Sequence, residues 1–170
     1  MTLPAPGKLA LDFEALYRTA RDDVFAYVAT LLHDRGAAED VTALAFERAF
    51  RKSKSFDARR GSERAWLFGI ARNAALDELR KRKRTAQLAV DVEDVTPAPE
   101  EEMDRALRRA AVRSALAELP ARERELIALK FHAGLDNAEL AAVLGVSVSN
   151  AGTRLHRALT KLREILDDQS

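Results

Sequence analysis

The chain has 170 residues, 47% hydrophobic and 32% charged, with a net charge of +1, which suits one ordinary domain or two small ones. It contains no cysteine, so disulfides and thiolate metal sites are excluded. No apolar run approaches the roughly 20 residues of a membrane span, and residues 1–10 lack the apolar core of a signal peptide. No membrane insertion is expected, and the protein reads as cytoplasmic.

The near-neutral total conceals a partition. Residues 1–84 carry 17 Lys+Arg against 12 Asp+Glu, residues 85–104 carry none against 7, and residues 105–170 carry 11 against 8. Two basic blocks suited to polyanions flank an acidic, solvated tether.

Helical spacing begins with Phe13, Leu16, Tyr17, Ala20, Val24, Val28, Leu31 and Leu32, one buried stripe at steps of three and four. Gly36 is expected to interrupt it. A second helix follows through Val41, Leu44, Ala45, Ala49 and Phe50 and is expected to end within residues 53–56. A basic loop leads to Ser62, an N-cap for a third helix with Leu67, Ile70, Ala71, Ala74, Ala75 and Leu79 inward. This helix ends in Arg80-Lys-Arg-Lys-Arg84. Five consecutive cations repel one another, so the helix dipole alone does not explain them, and their density points to nucleic acid over a solvated tail.

Periodicity disappears over residues 85–102, where Pro97, Pro99 and Glu100-Glu-Glu102 mark a flexible linker. It resumes with Met103, Leu107, Ala111, Ala115 and Leu116. Pro120 can open the next helix, which carries Leu126, Ile127, Leu129, Lys130 and Phe131 and ends near Gly134. No segment reads as a strand. The fold is read as all-α: two small helical domains, 9–84 and 103–168, joined by a flexible acidic linker.

The second domain closes on a helix-turn-helix. Asp136 and Glu139 have capping-box spacing, and the helix they start buries Leu140, Ala141 and Leu144. Gly145 suits a left-handed turn, Val146 plugs the angle, and Ser147 caps a second helix that buries Ala151, Leu155, Leu159 and Leu162. Its other face holds Ser149, Asn150, Thr153, Arg154, Arg157 and Lys161. Small polar groups could reach base edges and the cations phosphates, as on a recognition helix in a major groove. A plain αα-hairpin with solvated arginines is the competing reading. Gly152 lies inside this helix, either for close backbone approach to DNA or because the neighbouring side chains do the reading.

Three stretches together resemble the sigma-70 family of bacterial sigma factors, in its short extracytoplasmic-function (ECF) form: Ala38-Glu-Asp-Val-Thr-Ala-Leu-Ala-Phe-Glu-Arg-Ala-Phe50; Arg64-Ala-Trp-Leu-Phe-Gly-Ile-Ala-Arg-Asn-Ala-Ala-Leu-Asp-Glu-Leu-Arg-Lys-Arg-Lys-Arg84; and Leu119-Pro-Ala-Arg-Glu-Arg-Glu125 leading to Gly145-Val-Ser147 and Arg154-Leu-His-Arg-Ala158. The resemblance covers about residues 13–166. It implies a factor that binds core RNA polymerase, recognises the −10 and −35 promoter elements and directs transcription initiation. Residues 9–84 would be the region 2 domain and 103–168 the region 4 domain. An anti-sigma protein is a further partner that the family allows.

By that resemblance the second helix docks on polymerase through Asp40, Phe46, Arg48 and Phe50. The family often has Gln-Glu-Thr where this chain has Ala43-Leu-Ala45, and Phe46 and Phe50 at a four-residue step suit a core equally well. The −10 element falls to the loop and the third helix, with Phe56, Arg59, Arg60, Arg64 and Trp66 around the loop and Arg72, Asn73, Asp77, Arg80 and Arg82 along the helix. Cations hold a single strand while aromatic or amide groups take an extruded base. Trp66 reads as a packing residue ahead of a stacking one. The helix-turn-helix would read the −35 element.

Other chemistry finds no support. His33, His132 and His156 lack the spacing of a metal site, and there is no Gly-rich phosphate loop or nucleophile elbow. No metal or other cofactor is expected, and catalysis by the chain itself is not. The alternatives are a helix-turn-helix regulator that does not dock on polymerase, and a helical adaptor for acidic proteins.

Overall fold

The computed structural model describes residues 11–85 and 100–170. Residues 9 and 10, where the first domain was expected to begin, and 86–99, most of the expected linker, lie outside the described residues. Seven α-helices occur among the latter: α1 (Phe13–Leu32), α2 (Arg35–Arg51), α3 (Glu63–Thr85), α4 (Glu100–Glu118), α5 (Ala121–Phe131), α6 (Asn137–Leu144) and α7 (Val148–Asp168). A 3-10 turn, Ser53–Ser55, follows α2. There is no strand among the described residues.

The stripe of α1 buries Leu16, Ala20, Val24, Val28, Leu31 and Leu32, together with Tyr27. It stops at His33 and not at Gly36. His33 adopts the left-handed conformation, φ 52°, and its N–H donates to the Ala29 carbonyl. The Asp34 carboxylate accepts from the Ala37 N–H at 3.0 Å and starts α2. Gly36 therefore falls in the first turn of α2. The cap chemistry of the two preceding residues, not glycine flexibility, sets the break.

Small residues govern the packing of the first three helices. Ala38, Ala45 and Ala49 of α2 and Ala71, Ala74 and Ala75 of α3 are buried, which lets the helices approach closely around Val24, Val28, Val41 and Leu67. Ser62 caps α3 as expected, accepting from the Ala65 N–H at 3.1 Å. Phe68 is fully buried although it falls outside the expected inward face, and its ring meets Tyr27 edge-on at 5.6 Å. Ile70 and Leu79 sit at the margin of the core.

In the second group α4 begins at Glu100, within the span read as linker. Pro120 stands just before α5 at the N-cap. Arg124 fastens the corner between these helices: Nε donates to the Leu116 carbonyl and Nη2 to that of Leu119, each at 2.9 Å.

The two groups do not stand apart. Helix α5 packs on α1 and α6 packs on α3. One buried cluster runs without a gap from Leu16, Val24 and Leu67 to Leu129, Leu140 and Leu155. Apolar patches that would otherwise face water on each group thus cover one another.

Candidate nucleic-acid interface

The helix-turn-helix forms from local chemistry. The Glu139 N–H donates to Asp136 Oδ1 at 2.8 Å and the Asp136 N–H to Glu139 Oε1 at 3.2 Å, completing the capping box. Gly145 takes the left-handed conformation, φ 69°, and the Val146 N–H reaches back to the Ala141 carbonyl at 3.1 Å. Ser147 Oγ accepts from the Asn150 N–H at 3.1 Å and starts α7. Ala151, Leu155 and Ala158 are buried, while Leu159 and Leu162 are half-buried. The buried face is centred slightly nearer Ala158 than the steps of four suggested.

That rotation leaves Ser149, Asn150, Thr153, Arg154, Arg157 and Lys161 all exposed along α7. Lys161 Nζ pairs with Glu123 at 2.7 Å. Gly152 is half-buried and turned towards α6: a Cβ placed there would meet Asn137 Nδ2 at 3.5 Å, an ordinary contact.

The loop before α3 combines fixed and free groups. Phe56 is only 6% exposed and packs edge-on against the half-buried Trp66, ring centroids 5.4 Å apart. This aromatic pair anchors the loop. Asp57 takes a hydrogen bond from Arg59 Nε at 3.2 Å, which holds its carboxyl below the usual range. Arg60 is exposed beside it.

Along α3, Asn73, Asp77 and Arg80 are exposed. The Asp77 carboxylate is shared by Arg48 of α2 and Arg80, each at 3.3 Å. Arg82 turns inward instead, donating to the Leu32 carbonyl at 2.9 Å and to Asp34 at 3.2 Å. Its side chain is 20% exposed, so it ties α3 to the α1–α2 corner. Arg64 and Arg72 point to the second helix group. Arg64 Nε donates to the Ala133 carbonyl at 2.9 Å, and Arg72 pairs with Glu125.

The four residues expected at the polymerase contact divide. Asp40 is exposed, Arg48 is half-buried, and Phe46, 5% exposed, is core, with Tyr17 edge-on at 4.9 Å. Phe50 is 63% exposed and touches Phe13, ring centroids 5.2 Å apart. Tyr17 and Leu44, each about one-third exposed, extend this apolar surface, and a cavity of about 380 Å³ opens between Tyr17, Arg21, Phe25, Thr42 and Phe46. The Thr42 hydroxyl is buried there with no protein partner among the described residues. The sequence stripe counts Tyr17 as buried, whereas the structure leaves it 37% exposed with its ring against Phe46.

Comparison with known proteins gives this arrangement a family. The Sigma-70 region 2 family matches residues 16–85, and Sigma-70, region 4 matches residues 109–162. The ECF RNA polymerase sigma factor SigL of Mycobacterium tuberculosis is 32% identical over 158 residues, covering 91% of this chain and 88% of SigL. The chain belongs to the sigma-70 family, as an ECF sigma factor. A second relative, the ECF sigma factor BldN of Streptomyces coelicolor, is 30% identical over 162 residues, 93% of this chain and 61% of BldN. The sigma factor thus spans less than two thirds of that relative.

Two solved structures resemble most of it. Sigma factor RpoE of Bartonella quintana, in complex with the anti-sigma factor NepR, shares 28% identity over 92% of this chain and 97% of its own, with a TM-score of 0.78. CnrH, in complex with the cytosolic domain of CnrY, shares 29% identity over 93% and 89%, with a TM-score of 0.70. Fits of that quality across both helix groups at once require a similar placement of one group on the other.

Proposed function

We propose that this ECF sigma factor docks on core RNA polymerase through the Asp40–Phe50 face of α2, with Phe50 as the apolar anchor and Tyr17 and Leu44 beside it. Residues 9–84 act as the region 2 domain and 103–168 as the region 4 domain, with 85–102 between them. Helix α7 enters the major groove of the −35 element. Ser149, Asn150 and Thr153 lie nearest its N-terminus to meet base edges, and Arg154, Arg157 and Lys161 meet phosphates. The −10 element is met by Arg59, Arg60, Asn73, Asp77 and Arg80, with Arg64 and Arg72 joining once released from the second helix group. Phe56 and Trp66 hold the loop in shape, and Arg82 holds α3.

The observation that supports this reading most is the all-exposed polar face of α7, set by two side-chain caps and a left-handed glycine, in a chain of this family. The chain lends specificity, and phosphoryl transfer belongs to the polymerase. No helix among the described residues is long and apolar enough to cross a membrane, and we place the protein's action with polymerase in the cytoplasm. The likeness of its closed form to sigma factors held by anti-sigma factors supports such a protein as a further partner.

Footprinting of the polymerase complex tests the assignment of α7. Arg154→Ala with Arg157→Ala should abolish −35 protection and lower the slope of log affinity against log salt by about two. Unaltered protection would overturn it.

A further inference from the structure

Charge is distributed unevenly around the cleft between α5 and α7. Its volume of about 390 Å³ is lined by Arg72 from α3, by Arg122, Glu123 and Glu125 from α5, and by Arg154 and Arg157 from α7. Both carboxylates are already answered. Arg72 Nε donates to Glu125, which is 7% exposed and also accepts the Tyr27 hydroxyl at 3.1 Å. Lys161 Nζ donates to Glu123 Oε1 at 2.7 Å. Each pair cancels, so the cleft keeps the charges of Arg122, Arg154 and Arg157. These three side chains are exposed and make no hydrogen bond or ion pair among the described residues.

Cations gathered around one concavity repel one another, and a partly enclosed space screens them less than open solvent does. An anion placed among them removes that cost. The guanidinium group selects which anion: its planar donors take phosphate oxygens two at a time, and a phosphate chain carries several charges close together. The size of the cleft selects further. About 390 Å³ falls among the sites that hold small molecules, and a duplex, whose major groove alone is about 12 Å wide, does not enter it. Leu126 and the half-buried Leu144 add an apolar wall suited to a nucleobase.

We propose that this cleft binds a short polyphosphate chain, free or carried by a nucleoside, and that the bound chain competes with −35 DNA for Arg154 and Arg157. The site itself needs only the arginines, whereas the competition rests on the −35 assignment above. Arg122 belongs to α5 and so sets the site apart from a row of cations along α7 alone.

Isothermal titration calorimetry on the full chain tests the site, at about 0.15 M ionic strength, where diffuse attraction is screened. The probes are orthophosphate, tripolyphosphate and ATP. Tripolyphosphate should bind one per chain, about tenfold more tightly than orthophosphate, and Arg122→Ala should weaken it by about tenfold. Arg18→Ala, which removes an exposed cation from α1, should leave it unchanged. Equal or weaker binding of ATP assigns the site to the phosphate chain alone, and tighter binding extends it over Leu126 and Leu144. No binding, several equivalent sites per chain, or equal losses in the two variants would overturn it. For the competition, −35 protection by the polymerase complex is followed in the same magnesium-containing buffer. Tripolyphosphate should halve it near its own dissociation constant, with about tenfold more orthophosphate needed at matched ionic strength. Undiminished protection at saturation would overturn the competition. A complex that never protects the −35 element defeats the −35 assignment instead, and calorimetry alone then decides the site.

Discussion

Gly152 sits in α7 with its missing side chain directed at Asn137 of α6, and the 3.5 Å available to a Cβ removes any steric demand for glycine. Gly152→Ala should therefore raise stability by about 0.5–1 kcal/mol in urea melts while −35 affinity stays within twofold. Lost affinity would show that the backbone approaches DNA there. Arg80 and Arg82, two residues apart in one basic run, differ in the same way. Arg80 is exposed and shares Asp77, whereas Arg82 is occupied by Leu32 and Asp34. Arg80→Ala should lower the salt dependence of promoter binding by about one phosphate contact. Arg82→Ala should lower stability by about 1–2 kcal/mol, read by thermal melting. His132 adds a pH dependence: burial holds its pKa below 6.5, partly opposed by Asp23. The unfolded chain takes up that proton first as pH falls, so stability is full above about 6.5 and declines towards the lower native value. His132→Gln should flatten that decline in urea melts between about pH 7 and 5.

At the scale of elements, helix ends were the most legible feature because caps are local. Asp136, Glu139, Gly145, Ser147 and Ser62 each do in the structure what their spacing suggested. Asp136→Ala and Ser147→Ala should each cost about 1 kcal/mol, measurable as lowered melting temperatures. The stop of α1 was misplaced because a glycine is a conspicuous breaker, whereas a left-handed His33 followed by an Asp cap is recognised only once the backbone is seen. Periodicity identified each stripe but not its centre. It omitted Phe68 and Ala158, since one step of rotation leaves a three-and-four pattern intact. Phe46 and Phe50 occupy equivalent positions in that pattern, and only the lean of Tyr17 over Phe46 divides core from surface.

At the scale of the molecule, the all-α class and the helix-turn-helix could be read from pattern, and the family from three motifs. The closure of one helix group on the other could not. Its contacts join residues far apart in sequence, Tyr27 and Arg72 to Glu125 and Arg64 to Ala133, and no local period records them. The same arginines look like DNA ligands in the sequence and like structural ties in the closed fold. Sigma function itself is decided by run-off transcription with purified core polymerase over a promoter library. The sigma factor should yield transcripts from a defined −10/−35 pair, and lose them when Arg154 and Arg157 are both changed to Ala. Transcripts that ignore the −35 sequence, or none from any promoter, would contradict it.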